Sequence, residues 1–144
     1  METARGTLQG GDGNDQLVAG SGSSLLIGGA GHDTLVAGGG SATLTGGTGG
    51  TDFRFVSGGG YDVIPDFTRG ADLLHIEGGI NGLAIHTPHD LADHIYADWN
   101  GAMISLGSTT IVLQGISAAD LQENVHGGGK VGHWSGGVMR LRAE

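Results

Sequence analysis

Aspartate residues recur in this 144-residue chain at a spacing that suits a divalent cation. Asp15 and Asp33 are 18 residues apart, and Asp52 follows Asp33 after 19 residues. Each of the three comes after a glycine-rich stretch. Calcium takes about six to eight oxygen ligands, which is more than the carbonyls and the carboxylate of one short loop supply. The spacing therefore predicts loops stacked in pairs, with Ca²⁺ between carboxylates that would otherwise repel one another.

A nine-residue repeat would hold these loops in a stack. Large apolar residues occupy every ninth position from Leu8 to Phe53. This regularity argues against a flexible Gly/Ser linker, in which apolar residues would have no fixed period. A six-residue turn followed by a three-residue strand makes half a coil, and two such halves make one full coil. Because side chains alternate along a strand, the apolar residues should line two facing sheets around a thin core. One sheet is predicted to carry Leu17, Leu35 and Phe53, and the other Leu8, Leu26 and Leu44.

Composition narrows the classes of partner. The chain has 32 glycines, no cysteine, and 15 acidic against 6 basic residues, for a net charge of −9. The acidic balance argues against nucleic acid as a partner, and no apolar run is long enough to span a membrane. A small domain without disulfides commonly relies on metal for stability.

The motif itself resembles a known family. GGDGNDQLV at 10–18 and GGAGHDTLV at 28–36 match the GGxGxDxUx nonapeptide of RTX (repeats-in-toxin) proteins. The resemblance implies Ca²⁺ as cofactor and an all-β fold: a right-handed parallel β-roll of nonapeptide repeats over residues 8–55. A single domain spanning 1–144 is expected, with a closing segment at 56–76 and a cap and tail at 77–144.

The ligand sets are those that the resemblance implies. Each ion lies between loops one full turn apart, bound by the second and fourth carbonyls of one loop, the first and third of the next, and both aspartates. The first predicted site comprises Gly11, Gly13 and Asp15 with Gly28, Ala30 and Asp33, and the second comprises Gly29, Gly31 and Asp33 with Gly46, Thr48 and Asp52.

Two departures from the family pattern affect these sites. Thr51 stands where the fifth unit should have its aspartate, and Asp52 comes one residue late, so the second site is predicted to be weaker or reshaped. Loops 19–24 and 37–42 carry no carboxylate at all. About two ions are therefore expected in the regular roll, all on one edge.

The segments after the repeats resemble the end of serralysin-type C-terminal domains. DVIPDF at 62–67 and GADLLHI at 70–76 are similar to the stretch that closes those rolls. Its carboxylates are either further calcium ligands or turn caps, and both alternatives stay open. The residues concerned are Asp62, Asp66 and Asp72.

Alternating apolar residues predict a β-hairpin cap over 102–113 about Gly107, preceded by a short helix starting near Thr87 or Asp90. GISAADL at 115–121 resembles the turn that follows this hairpin in the same family. Residues 124–144 match no familiar pattern, although VMRLRA at 138–143 is a candidate added strand.

No catalytic constellation accompanies these features. The sequence has no Gly-x-Ser-x-Gly, no cysteine and no HExxH, and its seven histidines are interpreted as exposed or packed in the cap. The resemblance implies a non-catalytic C-terminal domain of a larger secreted bacterial protein, exported by type I secretion machinery with an N-terminal passenger. The alternative is an extracellular polysaccharide-binding or adhesive module, like the R-modules of alginate epimerases, although the chain is poor in the basic and aromatic residues such a surface uses.

Overall fold

The computed structural model describes residues 2–68, 72–77, 80–85, 88–98, 101–119, 132–135 and 138–141. The strands, in chain order, are β1 (Glu2–Asp12), β2 (Gln16–Ala30), β3 (Asp33–Val36), β4 (Ala42–Thr48), β5 (Thr51–Phe55), β6 (Tyr61–Ile64), β7 (Leu73–Glu77), β8 (Ile95–Asp98), β9 (Gly101–Leu106), β10 (Thr109–Gln114), β11 (Gly132–Ser135) and β12 (Val138–Leu141). Between β7 and β8 lie a 3-10 turn at Ile80–Gly82, the helix α1 at Pro88–Leu91 and a second 3-10 turn at Ala92–His94. None of the described helices is long or apolar enough to cross a membrane.

Parallel strands stack at the predicted period of two repeat units. The long strand β2 takes part in both faces of the roll, because its first residues pair with β3 and its later residues pair with β4. On the face that we call sheet A, Leu17 pairs with Leu35 and Leu35 with Phe53. On the opposite face, sheet B, Leu8 pairs with Leu26 and Leu26 with Leu44. All six side chains are buried in one core, so the predicted all-β roll of parallel strands is confirmed.

The coil continues past the point where the nine-residue rhythm stops. Val63 of β6 pairs with Thr43, and Leu74 of β7 pairs with Phe53, both at slightly more than two repeat units. Val63 lies 20 residues after its partner Thr43 and Leu74 lies 21 after Phe53, whereas Phe53 lies 18 after Leu35. Sheets A and B therefore each gain another parallel strand, which places Asp72 on the edge of the repeat aspartates and Asp62 on the opposite edge.

Antiparallel strands close both faces. The predicted hairpin is confirmed, since β9 and β10 pair about Gly107, which has a φ of 70°. Strand β10 lies parallel to β6 and extends sheet B, while β12 pairs with β7 and extends sheet A. The predicted strand within VMRLRA is thus confirmed as β12.

The short helix expected to start near Thr87 or Asp90 begins at Pro88 and ends at Leu91, early in the segment DLADHIYADW at 90–99. Among the described residues from 88 to 98, Pro88–Leu91 and the 3-10 turn after it are helical, and Ile95–Asp98 forms β8 against β9. In this strand Ile95 is buried in the core, whereas Tyr96 and Ala97 are exposed. Thr87 and the end of the 115–121 turn lie outside the described residues.

Candidate metal centre

One column of side chains runs along the edge where the strands of sheet A begin. Asp33 pairs in register with Thr51, and the backbone N–H of Asp15 donates to Oδ1 of Asp33 over 2.9 Å. One turn further on, the N–H of Thr51 donates to Oδ1 of Asp72 over 2.9 Å. Asp15, Asp33, Thr51 and Asp72 thus occupy equivalent positions, and the last three are buried.

Carbonyls of the first loop point forward into the gap between the first two loops of this column. A Cβ placed on Gly29 would collide with the carbonyl oxygen of Gly11, and a Cβ on Gly31 would collide with that of Gly13. Both carbonyls therefore face loop 28–33. They are the second and fourth carbonyls of their loop, as the resemblance implies.

Carbonyls of the second loop point back into the same gap. The carbonyl oxygen of Gly28 lies 2.6 Å from where a Cβ of Gly10 would stand, and Oδ2 of Asp15 lies 2.7 Å from that point. The carbonyl of Ala30 also faces back, accepting the N–H of Gly13 at 2.8 Å. The structure therefore brings together all six residues of the first predicted site.

The gap between the second and third loops has the same alternation. Forward-pointing carbonyls come from Gly29 and Gly31, and backward-pointing carbonyls from Gly46 and Thr48. Oδ2 of Asp33 lies 2.6 Å from the position that a Cβ of Gly28 would take, with the Gly46 carbonyl 2.7 Å from the same position. Five of the six predicted residues of the second site thus face this gap.

The structure does not bring the sixth residue, Asp52, into the column. Strand β5 begins with Thr51 in register with Asp33, so the next side chain points to the outer face of the sheet. There, Asp52 lies 3.6 Å from Nε2 of His75 and 3.9 Å from Nε2 of His32. Thr51 occupies the ligand position, as counting two nine-residue units on from Asp33 already indicates.

The oxygens of this column fit a cation. Oδ2 of Asp15, Oδ2 of Asp33 and Oγ1 of Thr51 are all buried and have no hydrogen-bond partner. Leaving one buried polar atom unpaired costs about 1–3 kcal/mol, and more when it is charged. A hard cation would compensate these oxygens together with the converging carbonyls.

The donor set also indicates the kind of ion. In the described part of the chain, no three His, Cys, Asp or Glu side chains cluster in a way that could hold a metal. The oxygens that face these gaps are mainly backbone carbonyls, with one or two carboxylates. Such a shell suits calcium, whereas transition metals favour imidazole and thiolate ligands.

Where a column position lacks a carboxylate, the backbone takes over its hydrogen bond. Because Thr51 has no carboxylate, the N–H of Asp33 donates to the Gly50 carbonyl over 3.2 Å. On the opposite edge, Ala42 follows Ser24, and the Ser24 N–H donates to the Ser41 carbonyl over 3.1 Å. The turns therefore stay connected by hydrogen bonds where a carboxylate is missing.

Two carboxylates of the closing segment have the geometry of turn caps. Asp66 accepts the N–H groups of Gly46 and Gly47, one on each oxygen, both over 2.9 Å. Asp72 accepts Thr51 N–H on Oδ1 and Thr68 N–H on Oδ2, the latter over 2.7 Å. Burial raises the pKa of Asp72, and these two hydrogen bonds partly offset that rise. The geometry of both residues favours the turn-cap alternative.

The third carboxylate, Asp62, lies on the opposite edge of the roll. It is fully buried, and its Oδ1 accepts the N–H of Ala42 over 2.9 Å, while its Oδ2 is buried without a partner. Burial raises the pKa of Asp62 to about 6, against the smaller opposing effect of the Ala42 hydrogen bond. A carboxyl with this pKa is still mainly ionised at neutral pH.

A roll of parallel strands with stacked Gly/Asp loops belongs to the class of metal-binding β-solenoids. Residues 9–44 match the family model of the RTX calcium-binding nonapeptide repeat, in four copies. This part of the chain is therefore an array of RTX calcium-binding repeats, and its cofactor is Ca²⁺. No curated protein and no solved structure matches the chain.

Proposed function

We propose that the chain is a calcium-dependent folding module of a larger secreted bacterial protein. The observation that carries this proposal is the row of buried, unpaired oxygens on Asp15, Asp33 and Thr51, which face gaps lined by carbonyls. RTX repeats are typically non-catalytic, which supports a structural role. The first site is formed by loops 10–15 and 28–33, and the second by loops 28–33 and 46–51, with Thr51 in place of Asp52.

Calcium supplies positive charge and accepts oxygen ligands between successive turns of the roll. Without it, Asp15 and Asp33 place buried or half-buried carboxylate oxygens in gaps where no hydrogen-bond donor meets them. The folded state then carries an uncompensated desolvation cost, which favours the open chain. Because the ion binds the folded loops and not the open chain, its binding free energy becomes folding free energy.

This dependence supports a role in export through type I secretion machinery. Calcium is scarce inside bacteria and plentiful outside, so the chain would remain open for transport and fold after release. An N-terminal passenger would then be followed in the chain by a folded module. The resemblance to serralysin-type C-terminal domains, including DVIPDF at 62–67, supports the same role.

Calcium titration of the chelator-treated chain, followed by far-UV circular dichroism, tests the folding role. A change from a largely disordered spectrum to a β-rich one is expected, with a melting transition that appears only when calcium is present. A spectrum and a melting temperature that chelator leaves unchanged would contradict the proposal.

Export requires a separate experiment. A reporter fused before Glu2 is co-expressed with a type I exporter, and folded reporter is measured in media with and without calcium. Folded reporter is expected to accumulate outside the cell when calcium is present. The Asp15→Ala/Asp33→Ala double variant should lose this calcium dependence, and equal accumulation under all conditions would refute the role in export.

A polysaccharide-binding role is the second candidate, and one surface feature favours it. A hollow of about 290 Å³ is lined by Tyr61, by hydroxyl side chains including Ser23 and Thr43, and by the apolar side chains of Ala42 and Val63. Tyr61 is half exposed, and its side chain combines an apolar ring with a hydroxyl group, which suits the mixed apolar and polar surface of a sugar. Affinity electrophoresis in neutral polysaccharide gels, with Tyr61→Ala as the matched variant, tests this role, and equal mobility of both proteins would exclude it.

A further inference from the structure

Asn81 connects the roll to the hairpin of the cap. Its backbone N–H donates to the Ser57 hydroxyl over 2.9 Å, and its side-chain Oδ1 accepts the N–H of Gly58 over 2.8 Å. Its Nδ2 donates to the Leu106 carbonyl over 2.5 Å and to the Thr109 hydroxyl over 3.0 Å. One side-chain amide therefore joins the connection between β5 and β6 to the turn between β9 and β10.

These bonds require a side chain that both donates and accepts. A carboxylate accepts hydrogen bonds but cannot donate one. An aspartate at position 81 would therefore place a charged oxygen beside the Leu106 carbonyl, which is also an acceptor. Thr109 is buried, and its hydroxyl already accepts the N–H of Gly59 over 3.1 Å. The contact between roll and cap thus depends on the amide nitrogen of Asn81.

The residue that follows Asn81 makes this amide chemically labile. Asparagine loses its side-chain amide when the backbone nitrogen of the next residue attacks Cγ. Glycine favours this attack because it has no side chain to hinder it and its backbone rotates freely. The sequence has the Asn–Gly pair twice, at Asn81–Gly82 and at Asn100–Gly101. Asn100 lies outside the described residues.

Water is the only co-reactant that the reaction needs. A bond forms between the Gly82 nitrogen and Cγ of Asn81, the Cγ–Nδ2 bond breaks, and ammonia leaves with the hydrogen that the Gly82 nitrogen loses. Water then opens the cyclic imide at one of its carbonyls. The product is aspartate, or isoaspartate, in which the backbone runs through the former side chain. In both products the Nδ2 donor is gone and a carboxylate is present.

The folded structure opposes this reaction. The Asn81 amide is held by Gly58, Leu106 and Thr109, and its backbone is fixed at a φ of 52° and a ψ of 28° in the 3-10 turn Ile80–Gly82. Closure of the imide requires the side chain to leave these partners and turn toward its own backbone. In the open chain none of these contacts restrains it.

We propose that Asn81–Gly82 is a deamidation site that the folded cap protects and the open chain exposes. The proposal goes beyond calcium-dependent folding and rests on it in one respect, since calcium would set how long the chain stays open. A chain that folds promptly keeps its amide. A chain that stays open loses the donor that joins its cap to its roll, so deamidation distinguishes chains by the time they have spent unfolded.

Peptide mapping of the full chain by mass spectrometry measures conversion at both Asn–Gly pairs over time. The chain is incubated in calcium, in chelator and in urea at one mildly alkaline pH, and circular dichroism records whether each sample is folded. In urea, Asn81 and Asn100 are expected to convert at similar rates, because each precedes glycine. In calcium, Asn81 should convert at least about tenfold more slowly than in urea, since a local opening that costs about 1.4 kcal/mol suffices for that factor.

The three conditions separate this proposal from the proposed function. If the chelator-treated chain stays folded and Asn81 is protected there as in calcium, calcium-dependent folding fails and the deamidation proposal stands. Equal conversion of Asn81 in calcium and in urea would overturn the deamidation proposal, whatever happens in chelator. Intact Asn81 in urea beside converted Asn100 would also overturn it.

Two variants test the chemistry and its consequence. Gly82→Ala should slow the conversion of Asn81 in urea, because the added methyl group hinders the attack. Asn81→Asp, which forms the product directly, should lower the melting temperature in calcium more than Gln9→Glu, which adds the same charge at an exposed position. Equal melting temperatures for Asn81→Asp and Gln9→Glu would refute the dependence of the cap on the amide nitrogen.

Discussion

The two carboxylate oxygens of Asp33, in the column of Asp15, Asp33, Thr51 and Asp72, have different roles. In Asp33, Oδ1 receives the N–H of Asp15 and so connects two turns, while Oδ2 faces the gap where the resemblance places an ion. Asp15 begins the column in the described chain, and Thr51 offers only a hydroxyl. Asp33 is therefore the one carboxylate that faces both gaps of the repeats.

The first prediction concerns the unequal contributions of these aspartates to calcium-dependent folding. Asp33→Ala should raise the calcium midpoint of folding more than Asp15→Ala, since it removes charge from two sites and leaves the Asp15 N–H without its acceptor. For Asp15→Ala a rise on the order of tenfold is expected, or about 1.4 kcal/mol. Asp52→Ala should have the smallest effect, because Asp52 lies on the outer face. Circular dichroism titrations measure the three midpoints, and equal values would refute the shared role of Asp33.

The second prediction concerns the weak second site. Thr51→Asp should tighten calcium binding by roughly tenfold, because a carboxylate would replace a neutral hydroxyl beside Asp33. It should also offer an acceptor to the Asp33 N–H, which now donates to Gly50. Thr51→Asn is the matched control, with similar shape and no charge. Isothermal titration calorimetry compares the two variants, and equal affinities would show that charge at this position has no effect on binding.

Spacing predicted the aspartates of this column and the resemblance implied the carbonyls, whereas spacing failed where side-chain type and position disagreed. Asp15 and Asp33 satisfy both the residue type and the period of two repeat units, and the structure places both in the column. Asp52 has the right type but stands one residue late, and a shift of one residue sends a strand side chain to the opposite face. The period predicts Thr51 there, although its hydroxyl is a less obvious ligand.

Among the elements, the turns depend on glycine where successive loops touch. Gly29 has a φ of 107° and lies against the backbone of the previous loop, at Gly11. Gly11 itself has a φ of 95°, but nothing lies within 4 Å of the point where its Cβ would stand. The two glycines therefore share a backbone conformation and differ in the contact that a methyl group would meet.

The third prediction uses this matched pair. Gly11→Ala should cost only the strain of a positive φ, about 1–2 kcal/mol. Gly29→Ala should cost clearly more, since the methyl group would also collide with the Gly11 carbonyl and separate the two loops that form the first site. Urea unfolding in saturating calcium measures both losses in the free energy of unfolding. Similar losses would indicate that the loops are not in close contact.

Alternation predicted the hairpin of the cap, but not the contact that fastens it to the roll. Strands β9 and β10 follow a clear apolar alternation about Gly107, so their pairing could be read from the sequence. Asn81 could not be identified in this way, because its bonds join segments far apart in the chain. It accepts the N–H of Gly58 and donates to the Leu106 carbonyl and the Thr109 hydroxyl, from a backbone with a φ of 52°.

Strands β6 and β7 belong to the same coil as the repeats, although the nine-residue period does not identify them. Their wider spacings from the preceding strands break the nine-residue rhythm, yet they pair in parallel with those strands. Loop length can vary because the loops lie at the edges, whereas strand register is fixed by the buried face. The sequence therefore predicted the beginning of the roll more completely than its end.

At the scale of the whole molecule, a thin core and a net charge of −9 act against folding. A single row of apolar side chains from each face, such as Leu26 and Leu35, fills the core of the repeats. Small domains of this kind commonly need a metal or a disulfide, and the chain has no cysteine. Calcium offsets both the thin core and the repulsion, because it makes the net charge less negative and connects successive turns.

These two effects of calcium can be separated, which gives the fourth prediction. If calcium acted only by reducing repulsion, sodium chloride at about 0.15 M, which screens charges beyond about 8 Å, would fold the chain as well. Magnesium would do so too, because it carries the same charge. Magnesium, however, requires near-octahedral geometry at about 2.0–2.1 Å and gives up its water reluctantly, so a wide cage of carbonyls suits it poorly. We therefore expect calcium to produce the β-rich spectrum at concentrations where equal magnesium, or sodium chloride at matched ionic strength, leaves the chain open. Equal folding by magnesium would show that neutralisation of charge, and not coordination by the loops, drives the transition.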